Sequence, residues 1–377
     1  MATVETETIS WGSRIGSSFK GILVGLGLFV AGFPLLFWNE GRTVTATKTN
    51  EAGAAAVVEA ETGSVDPAQE GALVHLVGMA ETDEVLRDDE YGVEATAFEL
   101  GRKVEMYQWV EHRRTKETKK LGGKIERETT YTYSKEWCSS PVNSDSFKEK
   151  DKVNPPARRQ LGCDSVHAST GRLGVRRLNE SQIRSISGSE QIAMKCQPVG
   201  KAEFFDVSST PNPSLGDIRV TFTAVRSPKE ITVVAAQKGD GFMGYTVEAT
   251  GQTISHVMAG AVDAAGVFAA AEKGNKMLAW ILRLVGFLAM FIGFRMVLAP
   301  LQVLADVVPF IGSIVGLGTG LVAFVVAAPC ALLTIAVAWL FYRPVLSAIL
   351  IAVAVGIVVL VLSRRRAKAK VQAQPAV

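Results

Sequence analysis

Gly21–Trp38, GILVGLGLFVAGFPLLFW, runs without a single charge. A hydrocarbon core of about 30 Å needs about 20 apolar residues in helical form, so this stretch just meets the length of one crossing. Arg14 and Lys20 precede it, and Asn39-Glu40-Gly41-Arg42 follows with no small-residue cleavage site. That favours an uncleaved anchor over a secretory signal. Outward from it lies a long polar stretch, and then three further apolar segments, Met277–Leu298, Ile311–Tyr342 and Val345–Leu362.

This layout predicts a membrane protein: a four-helix transmembrane bundle plus a large β-rich α+β soluble domain inserted between span 1 and span 2. The expected divisions are a cytoplasmic N-terminus (1–20), transmembrane helix 1 (21–38) and an extracytoplasmic or lumenal soluble domain (39–276). Helix 2 (277–298), helix 3 (311–342), helix 4 (345–362) and a basic cytoplasmic tail (363–377) complete it. Residues 311–342 exceed one crossing and contain Pro329. One long tilted helix is the simpler reading; two short crossings are the alternative. Five Lys or Arg in Ser363–Lys370 hold the C-terminus in the cytoplasm by the positive-inside rule. Four spans then return the N-terminus to the same side, with Arg14 and Lys20 in agreement and Arg42, Lys48 and Arg343 weakly against.

Arg283 and Arg295 lie about five residues from the ends of their span, close enough to snorkel to headgroups. Together with Arg343, Arg364, Arg365 and Arg366 they are candidate membrane-interface anchors. Small residues recur at four-residue spacing: Gly21 and Gly25, then Gly312, Gly316 and Gly320, then Ala348, Ala352 and Gly356. Such rows let helices approach closely, either inside one bundle or between copies in a homo-oligomer.

The 377-residue chain carries a net charge of +3, which makes no case for nucleic acid. Of four cysteines, Cys330 lies in a span, and Cys138, Cys163 and Cys196 lie in the soluble domain. A Cys138–Cys163 disulfide is the pairing to test, against simple buried thiols. Within the domain, Lys103–Glu111 (KVEMYQWVE) alternates well, and Thr129–Trp137 (TTYTYSKEW) answers it. With Gly122-Gly123 as the turn, they predict a long charged β-hairpin. Its arm from Tyr107 to Leu121 reaches about 45 Å at about 3.3 Å per residue. Ala72–Val77, Asp217–Val225 and Glu230–Gln237 read as strands, Glu51–Ala68 as a loose entry segment, and Gln252–Asn275 as an amphipathic helix. The basic stretch Arg158–Arg184 reads as a solvated helix or loop.

Motifs for chemistry are sparse. His75, His112, His167 and His256 form no zincin or zinc-finger spacing, and no nucleophile elbow or phosphate loop appears. Cys163 and His167, four apart, and the local run of Asp164, Ser165 and His167 are weak signals for a metal or a triad. No catalytic residue, cofactor or metal is assigned.

Several segments, in order, resemble the transmembrane protein 43 (LUMA) family: LLFWNEGR (Leu35–Arg42), GALVHLVG (Gly71–Gly78), DDEYGV (Asp88–Val93) and VEMYQWVE (Val104–Glu111). YTYSKEW (Tyr131–Trp137), VNSDSFKE (Val142–Glu149) and GDIRVTF (Gly216–Phe222) continue the series. WILRLVGFLAMFIGFRMVLAP (Trp280–Pro300) and LLTIAVAWLFYRP (Leu332–Pro344) match best. The resemblance implies the same four-span layout and no catalytic residues. Animal members are proteins of the endoplasmic reticulum and inner nuclear membrane, linked to envelope organisation with emerin and lamins. The Ala- and Gly-rich spans and short tail here point to a prokaryotic member, for which an inner-membrane site with a periplasmic domain is expected. The expected function is a non-enzymatic membrane scaffold with protein partners in the membrane or envelope. The alternatives are a channel or transporter component, drawing on Arg283, Arg295 and Asp306, and an envelope lipid-modifying or hydrolytic enzyme.

Overall fold

The alternation around Lys103–Glu111 extends both ways, and Val93–Lys119 forms one strand of 27 residues. The computed structural model describes residues 3–157, 160–192, 213–345, 347–349 and 352. In chain order the strands are β1 (Thr3–Ile9), β2 (Val58–Glu59), β3 (Leu73–Glu81), β4 (Val85–Asp88), β5 (Val93–Lys119) and β6 (Ile125–Cys138). There follow β7 (Gly162–His167), β8 (Arg172–Leu173), β9 (Arg176–Arg177), β10 (Glu190–Ile192) and β11 (Ile218–Arg226). The last are β12 (Lys229–Lys238), β13 (Gly241–Met243), β14 (Tyr245–Val247), β15 (Gln252–Ile254) and β16 (His256–Ala259). The helices are α1 (Trp11–Ala56), α2 (Glu180–Ser185), α3 (Ala264–Ala305) and α4 (Pro309–Tyr342). The chain divides into a β unit (Met1–Thr8, Lys48–Thr118, Glu126–Glu272) and a helical unit (Ile9–Thr47, Lys119–Ile125, Lys273–Val377).

The β unit holds two seven-stranded sheets. One runs β1-β6-β5-β11-β10, with β4 and β7 also paired to β5; the other runs β16-β12-β13-β9-β8-β3-β2, with β12 also paired to β3. Phe98, Leu100, Val104 and Phe222 of the first sheet share one buried cluster with Leu76, Leu173, Ile231 and Val233 of the second. Burial of these alternate positions is the main force joining the sheets. The far face of β12 is buried too: Val234 joins Leu73, Val247, Ile254, Val267 and Phe268 in a second cluster. A strand covered on both faces has no reason to alternate, which accounts for the run ITVVAA (Ile231–Ala236).

The predicted hairpin is present as β5 and β6, and Gly122 and Gly123 turn it at φ +80° and +74°. The strands read at Asp217–Val225 and Glu230–Gln237 are β11 and β12, but they enter different sheets rather than pairing with each other.

Five expectations change. The N-terminus is not apart from the large domain: TVETETI (Thr3–Ile9) is β1, paired with β6. Its glutamates are matched by cations and a phenol, Glu5 by Lys148 (2.6 Å) and Tyr131 (2.9 Å). Next, α1 does not end near Trp38 but continues to Ala56, so Glu51–Ala56 is helical rather than a loose entry. Third, Gln252–Asn275 is split: β15 and β16 take its start, and α3 begins only at Ala264. Fourth, the basic stretch forms β7, β8, β9 and the short α2, with Arg158 and Arg159 outside the described residues. Fifth, Cys138 and Cys163 are free thiols. Cys163 lies opposite Lys103 of β5, whereas Cys138 lies beside Gln108. Five residues of strand separate those points by about 16 Å, well beyond the ~7 Å Cα reach of a disulfide. Cys196 lies outside the described residues.

In the helical unit three helices, not four, are described as long and apolar enough to cross a membrane. Of the fourth expected span, 345–362, residues 345, 347–349 and 352 are described, with Ala348 and Ala352 exposed; Gly356 and the arginines 364–366 lie outside the described residues. α4 is one continuous helix through Pro329, consistent with a single crossing of residues 311–342. α1, α3 and α4 meet around Leu36, Met290, Ala327 and Ala331, with Phe29, Phe33 and Phe287 packed against them. Gly25 is required here: a Cβ on it would stand 2.6 Å from the Gly293 carbonyl oxygen. Gly21 faces Met296, Gly312 faces Asp306 and Gly316 faces Gln302, all within this chain, while Gly320 has nothing within 4 Å.

Phe222→Ala would empty the centre of the sandwich and lower stability by about 3–5 kcal/mol, read as a shift in chemical denaturation. Gly25→Val would force α1 from α3 and lower the thermal transition of the detergent-solubilised chain. Gly320→Val would leave it near the starting value.

Candidate functional site

Charge is expensive in an apolar bundle unless it is paired, so the charged side chains of the helical unit are the residues to explain. Glu40 of α1 has no exposed surface. Arg283 of α3 donates to both its oxygens, Nε to Oε1 at 2.6 Å and Nη2 to Oε2 at 2.8 Å. Trp339 of α4 donates its indole N–H to Oε2 at 2.8 Å. One carboxylate therefore ties three helices. Arg283 also lies over the Trp280 ring, 5.0 Å from its centroid. Arg343 is near enough to act on Glu40 electrostatically.

Beside this site two asparagines cross-link α1 and α3 reciprocally. Asn39 donates to the Ala279 carbonyl (3.1 Å), and Asn275 donates to the Thr43 carbonyl (3.1 Å). Thr43 in turn donates to the Asn39 carbonyl at 2.7 Å. Each asparagine sits one helical turn from the carbonyl that the other caps. NEGR, Asn39–Arg42, is thus an internal polar layer as well as the end of an apolar run.

The other charged cluster centres on Asp306, in the turn between α3 and α4 and without exposed surface. Arg14 of α1 pairs with its Oδ2, and Lys119 of the hairpin donates to Oδ1 at 2.6 Å. Arg14 also donates to the Gly123 carbonyl (2.6 Å), and Gly122 N–H donates to the Val307 carbonyl (3.0 Å). Trp11 donates to the Val303 carbonyl at 2.8 Å, and a Cβ on Gly123 would run into the Trp11 ring. Only glycine both accepts the positive φ and leaves room for the indole.

Of the expected anchors, Arg283 turns inward to Glu40 rather than out to headgroups, because a buried carboxylate is a stronger partner than water at the interface. Arg295 is exposed on α3. Neither acid was assigned a partner from sequence, although an arginine inside an apolar segment is itself a signal that an acid lies nearby.

The β unit offers other groups. Ser165 Oγ is 3.4 Å from His167 Nε2, on an exposed part of β7, while Asp164 lies 3.6 Å from Arg102 and so forms no chain with them. Among the described residues no group of three His, Cys, Asp or Glu could hold a metal ion. An open cleft of about 750 Å³ is lined by Glu5, Glu7, Arg113, Arg127 and Tyr131, and one of about 610 Å³ by Glu81, Asp83, Ser169, Arg172 and Arg177. Both linings are charged and hydroxylic, unlike the apolar lining typical of small-molecule sites. Near the second cleft, Thr170 and Ser169 hydroxyls and the Ser169 N–H donate to Glu84 and hold its carboxyl down at about 2.

Glu40→Ala and Arg283→Ala each strand a buried charge and should lower stability by about 3–5 kcal/mol. The double variant should lose clearly less than the sum, as read from melting of the full chain in detergent. Because the Glu84 carboxyl titrates at about 2 when folded against an ordinary 4.5, its contribution is present above pH 4.5 and is lost as pH falls toward 2. Glu84→Gln should therefore flatten the acid limb of melting temperature against pH in that window.

A family profile described as Transmembrane protein 43 matches residues 106–344. The chain is 34% identical to human Transmembrane protein 43 over 359 residues, covering 90% of this chain and 88% of the relative. It is 33% identical to the mouse protein over 354 residues, covering 89% and 88%. It is 26% identical to the Transmembrane protein 43 homolog of Drosophila melanogaster over 345 residues, covering 87% and 90%. No solved structure matches. The polar layer of Asn39–Arg42, the hairpin tip and the three apolar helices are thus features of a chain that belongs to the transmembrane protein 43 family.

Proposed function

We propose that this chain is a non-enzymatic membrane scaffold, which anchors through its apolar helices and recruits partners along the charged surface of its β unit. The observation that carries the reading is the exposed β5–β6 hairpin. From Glu111 to Lys119 it presents mostly charged side chains, with an ion pair reaching across the strands between Arg127 and Glu117 and a hydrogen bond between His112 Nε2 and Glu136. Exposed pairs of this kind add little stability, so they serve solubility and recognition. The outward Leu284, Leu317, Leu321 and Leu332 of α3 and α4 supply the anchor in lipid.

Self-association belongs to the same proposal. Most of the glycine rows are occupied within the chain, which leaves the outward face of α4 around Gly320 for contact between copies. Inner nuclear membrane and endoplasmic reticulum are the proposed sites in a eukaryote, and the cytoplasmic membrane in a prokaryote. A conduit is the less favoured reading, since Arg283 and Asp306 are engaged in ion pairs.

Light scattering of the full chain in detergent should give a mass of more than one copy, and Gly320→Leu should reduce it. A strictly monomeric mass over a wide concentration range would overturn self-association. Arg113→Glu with Arg114→Glu and Lys116→Glu should strip co-purifying proteins from the membrane-bound chain at least severalfold without altering its membrane fraction. Unchanged co-purification would remove the hairpin as the recruiting surface.

A further inference from the structure

His75 of β3 is buried, and both nitrogens of its ring are engaged. Nδ1 lies 2.7 Å from Glu59 Oε2, and Nε2 lies 2.8 Å from the Val262 carbonyl oxygen. Both partners are acceptors. A neutral imidazole has one N–H and one lone pair, so it donates to only one of them; the doubly protonated ring donates to both. The two contacts together therefore call for one proton more than a neutral ring beside an ionised carboxylate holds.

The partners flank two helices. Glu59 comes just after α1 ends at Ala56, and it stands opposite His75 in the β2–β3 register. Val262 comes just before α3 starts at Ala264. Val262 is fixed in place: its N–H donates to the Thr232 hydroxyl at 2.9 Å, and that hydroxyl donates to the Gly260 carbonyl at 2.8 Å. Glu59 is held far less, with its side chain 75% exposed. When the ring loses a proton, the bond to Val262 is the one retained. A lone pair against that buried carbonyl has no escape, whereas an exposed carboxylate can turn to water.

We propose that His75 is a proton-operated latch: doubly protonated, it ties the chain leaving α1 to the chain entering α3, and on losing a proton it releases Glu59. The latch needs neither the scaffold reading nor a partner. Its surroundings add little competing charge. Asp263 is taken up by the Gly266 N–H at 2.9 Å. The Tyr245 phenol packs on the same cluster as Val262. Arg176 bonds to Gln237, on the face of β12 that carries Val233 and Ala235, opposite to that of Val234 and His75. The segments 52–57 and 264–271 carry no ionisable side chain. His256 stands in line with His75 across β12, since Val234 is opposite both, and burial pushes its titration down. The signs differ. His256 is charged less readily in the fold, so its contribution is lost as pH falls; the bond of His75 to Glu59 is present in acid and is lost as pH rises.

The test is hydrogen exchange of residues 57–62 in the full chain in detergent, corrected for the intrinsic effect of pH. The Ala60 N–H, bonded to the His75 carbonyl at 3.0 Å, reports on the latch directly. Protection of this segment should fall as pH rises between about 5 and 8, where histidine ordinarily titrates. His75→Gln should flatten that slope, and His256→Gln should keep it. Glu59→Gln changes an exposed side chain, and it should lower the midpoint of the His75 ring titration, followed by NMR of isotope-labelled histidine. A slope that persists in His75→Gln, or that disappears in His256→Gln, would overturn the latch. So would a His75 midpoint that Glu59→Gln does not lower. If His75→Gln does not fold, the midpoint in Glu59→Gln decides it alone.

Discussion

Glu40 is a carboxylate without exposed surface, and three helices meet on it. An ion in such a place costs several kcal/mol of lost hydration, and its position is tolerable only because Arg283 meets it with two hydrogen bonds and Trp339 with a third. This reverses the usual relation between packing and polarity in a bundle. The small-residue contact of Gly25 with Gly293 lets α1 and α3 approach, but it does not choose their axial register. A charged layer that must be satisfied does choose it, and the reciprocal asparagines repeat the constraint one turn away.

Asp306 solves the same problem with different parts. Its two cations come from the start of α1 and from the tip of the hairpin, so the turn between α3 and α4 is closed by residues remote in sequence. The length of β5 makes this possible. Near its start β5 is a core strand held between β11 and β7; farther along it pairs with β6 and becomes a charged ribbon; its last residue belongs to the helical unit. One strand therefore serves as core, surface and clasp, and its composition changes accordingly, from Phe98 and Leu100 to Arg113, Lys116 and Lys119.

Much of this was legible in the linear chain. KVEMYQWVE alternates because one face is buried, TTYTYSKEW answers it, and Gly122-Gly123 has the only backbone freedom that closes the turn. The apolar runs were legible because a lipid-exposed helix needs apolar side chains all round. The misreadings are equally physical. TVETETI reads as part of an N-terminal segment apart from the domain because the partners of its glutamates lie more than a hundred positions away. Gln252–Asn275 looked helical because its apolar spacing fits both a helix and short strands that bury residues on a second cluster. The disulfide seemed open because sequence carries no distance along β5.

The sequence by itself determined the class of the protein, the strand-rich middle, the hairpin and the apolar helices, since each follows from periodicity or composition within some twenty residues. Only the tertiary structure decided which acid meets which base. Glu40 and Arg283 are 243 positions apart, and Arg14 and Asp306 are 292 apart. No local pattern records such a pairing, because the free energy that selects it is the avoided burial of an unpaired charge, and that exists only once the helices have come together.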